Sequence, residues 1–337
     1  MLRNIQAARA IAALCVVAYH LELLRFGQCG VDVFFVISGF IMSYVAPLEG
    51  RAFFIKRVIR IVPLYWILTV GVYAIALVKP QWLNTTTDGM AFLLKSLFFL
   101  PYIKDNGNWG PLLRNGWTLN FEMFFYVLIA VSLLCVRARY ATLAGSALLV
   151  GICSFVALHG TGNAIADYMG QPLALEFCLG VACYWISRSN IFARVNPGVW
   201  AALGIAGVAA IVLLYAMSGN PVGFVRLTHY GLPAFAIILS LLGLEKTGFS
   251  VRGNLLVDLG AASYSIYLLH PYVIGAVEKL LHIRTGSATA VSMAASALSI
   301  VVVCVTGWWC YRYIESPIQA AIKRARFRAR GPVSSAM

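Results

Sequence analysis

Charge is what this sequence lacks. Asp, Glu, Lys and Arg together make up 11% of its 337 residues. Soluble domains carry about 25%, so a water-soluble globular chain is excluded. Acids are the scarcer half, 12 against 26 basic residues. Other absences narrow the reading further. No Pro/Gly/Ser-rich linker divides the chain, so one membrane domain accounts for nearly all of it. No internal repeat is visible, which leaves an inverted-repeat transporter without positive support. The eight cysteines form no CxxC pair. They read as small apolar packing residues rather than redox or zinc ligands. No convincing small-residue cleavage site precedes the second apolar run, so the N-terminus reads as a retained helix and not a cleaved signal.

What is abundant is apolar sequence. Hydrophobic residues reach 61%, and the mean hydropathy is +0.83. Runs near 20 residues suit membrane helices. Spans are expected at 5–24, 31–47, 62–78, 119–136, 141–158, 171–187, 199–217, 229–244, 259–281 and 288–311. The fold class is therefore all-α: a polytopic membrane protein with about ten transmembrane helices and both termini on one side. The net charge of +14 would otherwise suggest nucleic acid, but its distribution argues for topology instead. One set of connecting segments holds 17 Lys and Arg residues and the other holds 8. The richer side is expected to be cytoplasmic. It includes the basic tail, which would also contact anionic membrane lipids. The longest connection, 79–118, contains an apolar stretch from Ala91 to Tyr102. That stretch is too short to span and reads as re-entrant or interfacial.

The first run, Ile5 to Leu24, carries Arg9 and His20. Ionisable groups at membrane depth are costly unless they face a protein interior or a wet cavity. Eleven residues is close to three turns, so the two side chains lie about 20° apart on one stripe and roughly 16 Å apart along it. A long molecule held at one end by a cation and handled at the other by an imidazole would fit that stripe. Asp32 opens the second run and Glu122 the fourth, at depths similar to His20, while Ser38 falls mid-membrane. Asn120 lies beside Glu122. An imidazole with a carboxylate is what proton abstraction from an alcohol needs. In the ninth run Ser263, Tyr267 and His270 fall on one helical face, and Pro271 can kink the helix there. On the basic side, Lys56, Arg57 and Arg60 would share a helix face and suit phosphates.

Each residue also has a plain structural reading. Arg9 can snorkel to an interface. His20 can be a satisfied core histidine. Asp32 and Glu122 can favour helix starts. Arg57 and Arg60 can be topological markers. His270 and the tyrosines can join helices by hydrogen bonds.

Five blocks together resemble the integral-membrane acyltransferase-3 family. They are Arg9 and His20 with ten residues between, GVDVFFVISGF (Gly30 to Phe40), KRVIRIVPLYW (Lys56 to Trp66), WTLNFEMFFY (Trp117 to Tyr126) and SYSIYLLHP (Ser263 to Pro271). They occur in the family's order across the whole chain. The opening looks most like the branch that acetylates bacterial exopolysaccharides such as succinoglycan. The resemblance implies transfer of acetyl from acetyl-CoA to a hydroxyl of an exopolysaccharide or its lipid-linked oligosaccharide precursor, at the bacterial inner membrane. No metal and no permanently bound cofactor are implied. His20 would be the general base, positioned by Glu122 or Asp32. Arg9, Lys56, Arg57 and Arg60 would hold the donor. Ser38, Asn120, Tyr126, Ser263, Tyr267 and His270 would line the cavity. Residues 1–318 would form the membrane acyltransferase domain and 319–337 a basic cytoplasmic tail. No extracytoplasmic SGNH domain is visible, as expected for a stand-alone enzyme. A transporter or flippase for a sugar-containing substrate is the alternative, since it too would place these side chains in a membrane cavity.

Overall fold

The computed structural model describes residues 2–83, 89–104, 107–190, 192–286 and 289–329. Among these residues the architecture is all-helical, apart from one isolated antiparallel bridge between Ile103 and Trp109. The helices are α1 (Arg3–His20), α2 (Cys29–Glu49), α3 (Phe53–Val78), α4 (Met90–Leu97), α5 (Trp117–Cys135), α6 (Ala141–His159), α7 (Ala164–Met169) and α8 (Glu176–Ser187). They continue with α9 (Pro197–Ser218), α10 (Gly223–Arg226), α11 (Leu232–Lys246), α12 (Asn254–Ala261), α13 (Ser263–Leu281), α14 (Ala290–Cys310) and α15 (Ser316–Ala329).

Seven helical stretches of the described residues are long and apolar enough to cross a membrane. One of them, Cys29–Val78, joins two expected spans; α2 and α3 meet at a short 3-10 turn, Gly50–Ala52. The expected spans at 5–24 and 259–281 appear as α1 and α13. Neither is among the seven, because the polar residues that make them interesting dilute their hydropathy. As expected, the helix in the long connection is too short to span: α4 has 8 residues. The C-terminal part of the basic tail, from 330 onward, lies outside the described residues.

The helix α1 sits at the centre. It is buried nearly throughout, from Asn4 to Val17. Its alanines are small enough to admit neighbours closely, and α2, α11, α12 and α13 all pack on it. Glycine permits the closest approach elsewhere. A Cβ on Gly39 of α2 would lie 2.0 Å from the Phe177 carbonyl oxygen, and one on Gly180 of α8 would lie 2.0 Å from that of Val36. The two backbones therefore touch at a crossing that only hydrogen side chains allow. Beside this crossing, Phe35, Phe125 and Phe177 stack with centroids 4.5 and 4.7 Å apart. They tie α2, α5 and α8 into one core. Elsewhere the bundle's outer face is apolar, with Leu134, Leu158 and Val305 exposed, as lipid contact requires.

Replacing Gly39 or Gly180 by Val would force α2 and α8 apart. We expect an overpacking loss of about 1–3 kcal/mol or more, seen as a lowered melting temperature in detergent. An unchanged melt would show that the crossing has room.

Candidate active site

Two cavities open along α1, one at each end of the stripe defined by Arg9 and His20. The first has a volume of about 90 Å³ and is lined by Arg9, Ser38, Arg60, Glu122, Tyr126, Ser263 and Tyr267. The second, a vestibule of about 1120 Å³, is lined by His20, Lys104, Trp109, Arg114, Asn115, Arg226 and Tyr267. Val31 and Tyr267 line both, so these two side chains stand where the cavities meet. The 11-residue helical separation therefore places a guanidinium in one chamber and an imidazole in the other.

In the Arg9 cavity the charges are concentrated. Arg9 is 8% exposed and has no hydrogen-bond or ion-pair partner among the described residues. Arg60, Glu315 and Glu122 act on it electrostatically. Glu122 is held by local geometry. Tyr126, one turn on, donates its hydroxyl to the Glu122 carboxylate, and Ser38 donates to the same oxygen at 3.1 Å. Phe121 and Phe125 of α5 are buried in the core, which turns Glu122 and Tyr126 toward the cavity. Glu315 is an acid outside the expected site residues. It lies on a π-helical turn, Tyr311–Glu315, accepts hydrogen bonds from Ser265 (2.6 Å) and Gln319 (3.1 Å), and faces Arg9 and Arg60 electrostatically. The only sequence signal was an acid at the end of a long apolar run.

The vestibule is built around a histidine pair. Pro271 has no N–H, so the Tyr267 carbonyl four residues earlier loses its helical donor. Two side chains take its place: Asn115 Nδ2 at 2.7 Å and His270 Nδ1 at 2.9 Å. A proton on His270 Nδ1 leaves Nε2 as an acceptor, and it lies 3.2 Å from His20 Nδ1. His20 Nδ1 also faces the Val16 carbonyl at 2.9 Å. The Val16 carbonyl can only accept, so it calls for a proton on His20 Nδ1 and leaves the lone pair on His20 Nε2. Thr118 donates to the Tyr267 hydroxyl at 3.1 Å and completes the network. Asn115 and Thr118 were not singled out in the sequence; Pro271, which creates their acceptor, was.

The remaining expected site residues find other neighbours. Asp32 is fully buried and accepts from Arg226 Nε at 2.9 Å and Nη2 at 2.8 Å. Neither Asp32 nor Glu122 hydrogen-bonds His20; that place belongs to His270. Arg57 makes a two-pronged contact with Glu49 at 2.8 and 2.9 Å, and Lys56 lies 3.7 Å from the same acid. Arg60, one turn on, faces the cavity instead. Asn120 is buried, and its amide finds no hydrogen-bond partner among the described residues. Ser263 lines the Arg9 cavity with its hydroxyl likewise unmatched. No group of three His, Cys, Asp or Glu side chains among the described residues is placed to hold a metal ion.

Comparison with known proteins bears on this geometry. A family model described as an acyltransferase domain, of the acyltransferase-3 type, matches residues 2–312. The chain belongs to the acyltransferase-3 family. The exopolysaccharide production protein ExoZ of Rhizobium meliloti is 34% identical over 313 residues, covering 90% of this chain and 92% of that one. Acyltransferase MdmB of Streptomyces mycarofaciens is 27% identical, with 98% and 95% covered. Peptidoglycan O-acetyltransferase OatA of Listeria monocytogenes is 24% identical over 94% of this chain and 54% of its own. No solved structure matches the chain. With this membership, the several apolar stretches mark a multi-pass membrane acyltransferase, and both cavities lie within the span of the acyltransferase-3 match.

The Glu49–Arg57 contact predicts a separable effect. In a double-mutant cycle, Glu49→Gln and Arg57→Gln should show a coupling on the order of 1 kcal/mol in stability. Additive single effects would remove the pairing.

Proposed function

We propose that this chain transfers acetyl from acetyl-CoA to a hydroxyl of a bacterial exopolysaccharide or its lipid-linked oligosaccharide precursor, with His20 as general base. The observation that carries the reading is the His20 Nε2 lone pair at the wall of a large vestibule, one helix stripe away from an unpartnered guanidinium. The exopolysaccharide production relative, alike over nearly its full length, supports the acceptor class. Both termini would be cytoplasmic, with about ten crossings of the inner membrane. Arg9 and Arg60 would then sit on the donor side and the vestibule on the outer side. Lys56 and Arg57 would flank the donor's route, held by Glu49.

The chemistry follows from these positions. His20 Nε2 accepts the proton of the acceptor hydroxyl as its oxygen attacks the thioester carbonyl. The C–S bond breaks, and the departing thiolate takes the proton from the imidazolium, so the reaction is proton-neutral. His270 Nε2 accepts from His20 Nδ1–H throughout and holds the ring in the reactive tautomer. Its uncharged acceptor nitrogen also steadies the imidazolium while it exists. Arg9 and Arg60 attract the donor's phosphates or polar arm, and Glu122 and Glu315 keep them in place. Ser38, Tyr126 and Ser263 supply polar lining, and Asn120 backs the same segment of α5. The Arg9 cavity, at about 90 Å³, is smaller than a pantetheine arm. Donor binding therefore requires the side chains near Tyr267, including Phe34 against its ring at 5.9 Å, to move.

Loss of the base should lower turnover by about 10²–10⁴-fold. His20→Ala should thus insert and fold normally yet incorporate acetate into polymer at a rate lowered by that factor. His270→Ala should lower kcat less, with KM for acetyl-CoA unchanged. Acetylation at the normal rate by His20→Ala would sink the assignment. A flux of sugar lipid in vesicles without saturable coenzyme A binding would favour transport instead.

A further inference from the structure

Four cations line the vestibule: Lys104, Arg114, Arg226 and Lys279. Two are already engaged. Arg226 is bound to Asp32, and Lys279 donates to the Trp82 carbonyl at 2.8 Å while lying over its ring. Glu278, the acid on this wall, accepts from Thr285 through both the backbone N–H and the hydroxyl. Lys104 and Arg114 differ. Neither side chain has a hydrogen-bond or ion-pair partner among the described residues. Lys104 is only 7% exposed, and Arg114 acts on it electrostatically. Both face the same cavity, Lys104 from a buried position and Arg114 from an exposed one, and their mutual repulsion is relieved when an anion joins them.

The placement is built, not incidental. Lys104 follows the Ile103–Trp109 bridge, and its backbone N–H donates to Asn108 O at 2.9 Å. Trp109 stacks on Tyr168 with centroids 4.4 Å apart. At the segment's base Tyr102 is buried, with its hydroxyl 3.1 Å from that of Ser96. Arg114 donates its backbone N–H to the Tyr272 hydroxyl at 3.0 Å and directly precedes Asn115, which supports His270. Arg114 thus stands beside the histidines, and Lys104 lines the same vestibule as His20. Trp82, Trp109, Trp117 and Tyr272 supply flat apolar faces around it, suited to the faces of sugar rings.

We propose that Lys104 and Arg114 form an anion subsite for the acceptor, which docks a carboxylate or phosphate group of the glycan or its lipid carrier while a nearby hydroxyl meets His20. This rests on the vestibule being the acceptor side. The acceptor class is then an acidic saccharide: a uronate-bearing oligosaccharide, or one still joined to a lipid diphosphate. Burial, with Arg114 adding to it, lowers the Lys104 ammonium to about 8. The subsite is fully charged below that pH and loses one charge as pH rises through it.

The test uses purified full-length protein, acetyl-CoA and three acceptors of equal length: neutral, uronate-bearing, and lipid-diphosphate-linked. The wild type should prefer one charged acceptor over the neutral one by at least tenfold in kcat/KM. Which of the two is preferred identifies carboxylate or phosphate as the bound group. Lys104→Met and Arg114→Gln should each erase most of that preference by raising KM, leaving the neutral acceptor and KM for acetyl-CoA unchanged. The preference should fall severalfold between pH 7 and 9 in the wild type but not in Lys104→Arg. The ratio of two acceptors cancels any effect of pH on His20. Equal kcat/KM for all three acceptors, a preference untouched by either substitution, or equal losses on neutral and charged acceptors would overturn the subsite. Acetylation of none of them would instead overturn the transferase reading itself.

Discussion

A charge inside an apolar bundle must be paired or must face a cavity, and this constraint sorts the whole interior. Arg57 pairs with Glu49 and Arg226 with Asp32. These are the cations the fold has neutralised, and they hold helices and connections in place. Arg9, His20, Lys104 and Arg114 are left facing open space. For the buried Arg9 and Lys104, the lack of a countercharge costs several kcal/mol in low dielectric. Groups so placed are available to a ligand that brings the missing charge.

Those surfaces are arranged by one straight element. The helix α1 runs unbroken from Arg3 to His20, so the distance between guanidinium and imidazole is set by helical rise alone. Everything else is fitted around it. The small side chains of α1 let four helices approach. Tyr267 of α13 stands where the two cavities meet, and Pro271 frees its carbonyl. The same missing N–H that would weaken a helix elsewhere here anchors His270 and, through it, the tautomer of His20. A backbone defect becomes a positioning device because Asn115 supplies the lost donor.

Much of this was legible in the chain. The all-helical class follows from long apolar runs, and most helix boundaries follow to within a few residues. α1 ends at His20 and not at Leu24, since Glu22 adopts a positive φ of 58° in the turn to α2. α3 begins at Phe53, so Lys56, Arg57 and Arg60 share a helix with the apolar span beyond Pro63. The one-stripe placement of Arg9 and His20 needs only helical periodicity. The blocks around Ser38, Glu122 and Tyr267 were visible as polar residues in oil. Glu315, Asn115 and Lys104 were not, because an isolated polar residue near a helix end or in a connection carries no periodic signal.

Sequence alone therefore determined which residues are out of place in a membrane, the rise and phase between those on one helix, and the family to which they belong. These properties are local or compositional, and each needs only the chain's own geometry. Tertiary structure decided the partners. It paired Asp32 with Arg226 and not with His20, placed Glu122 beside Ser38 and Tyr126 in the Arg9 cavity, and made His270 the neighbour of His20. It also separated Arg60, which faces a cavity, from Arg57, which is bound to Glu49, although they lie one helical turn apart. Coulomb attraction and hydrogen bonding act over a few ångströms in space, and which groups come that close across 250 residues of chain, as His20 and His270 do, is settled only when the helices pack.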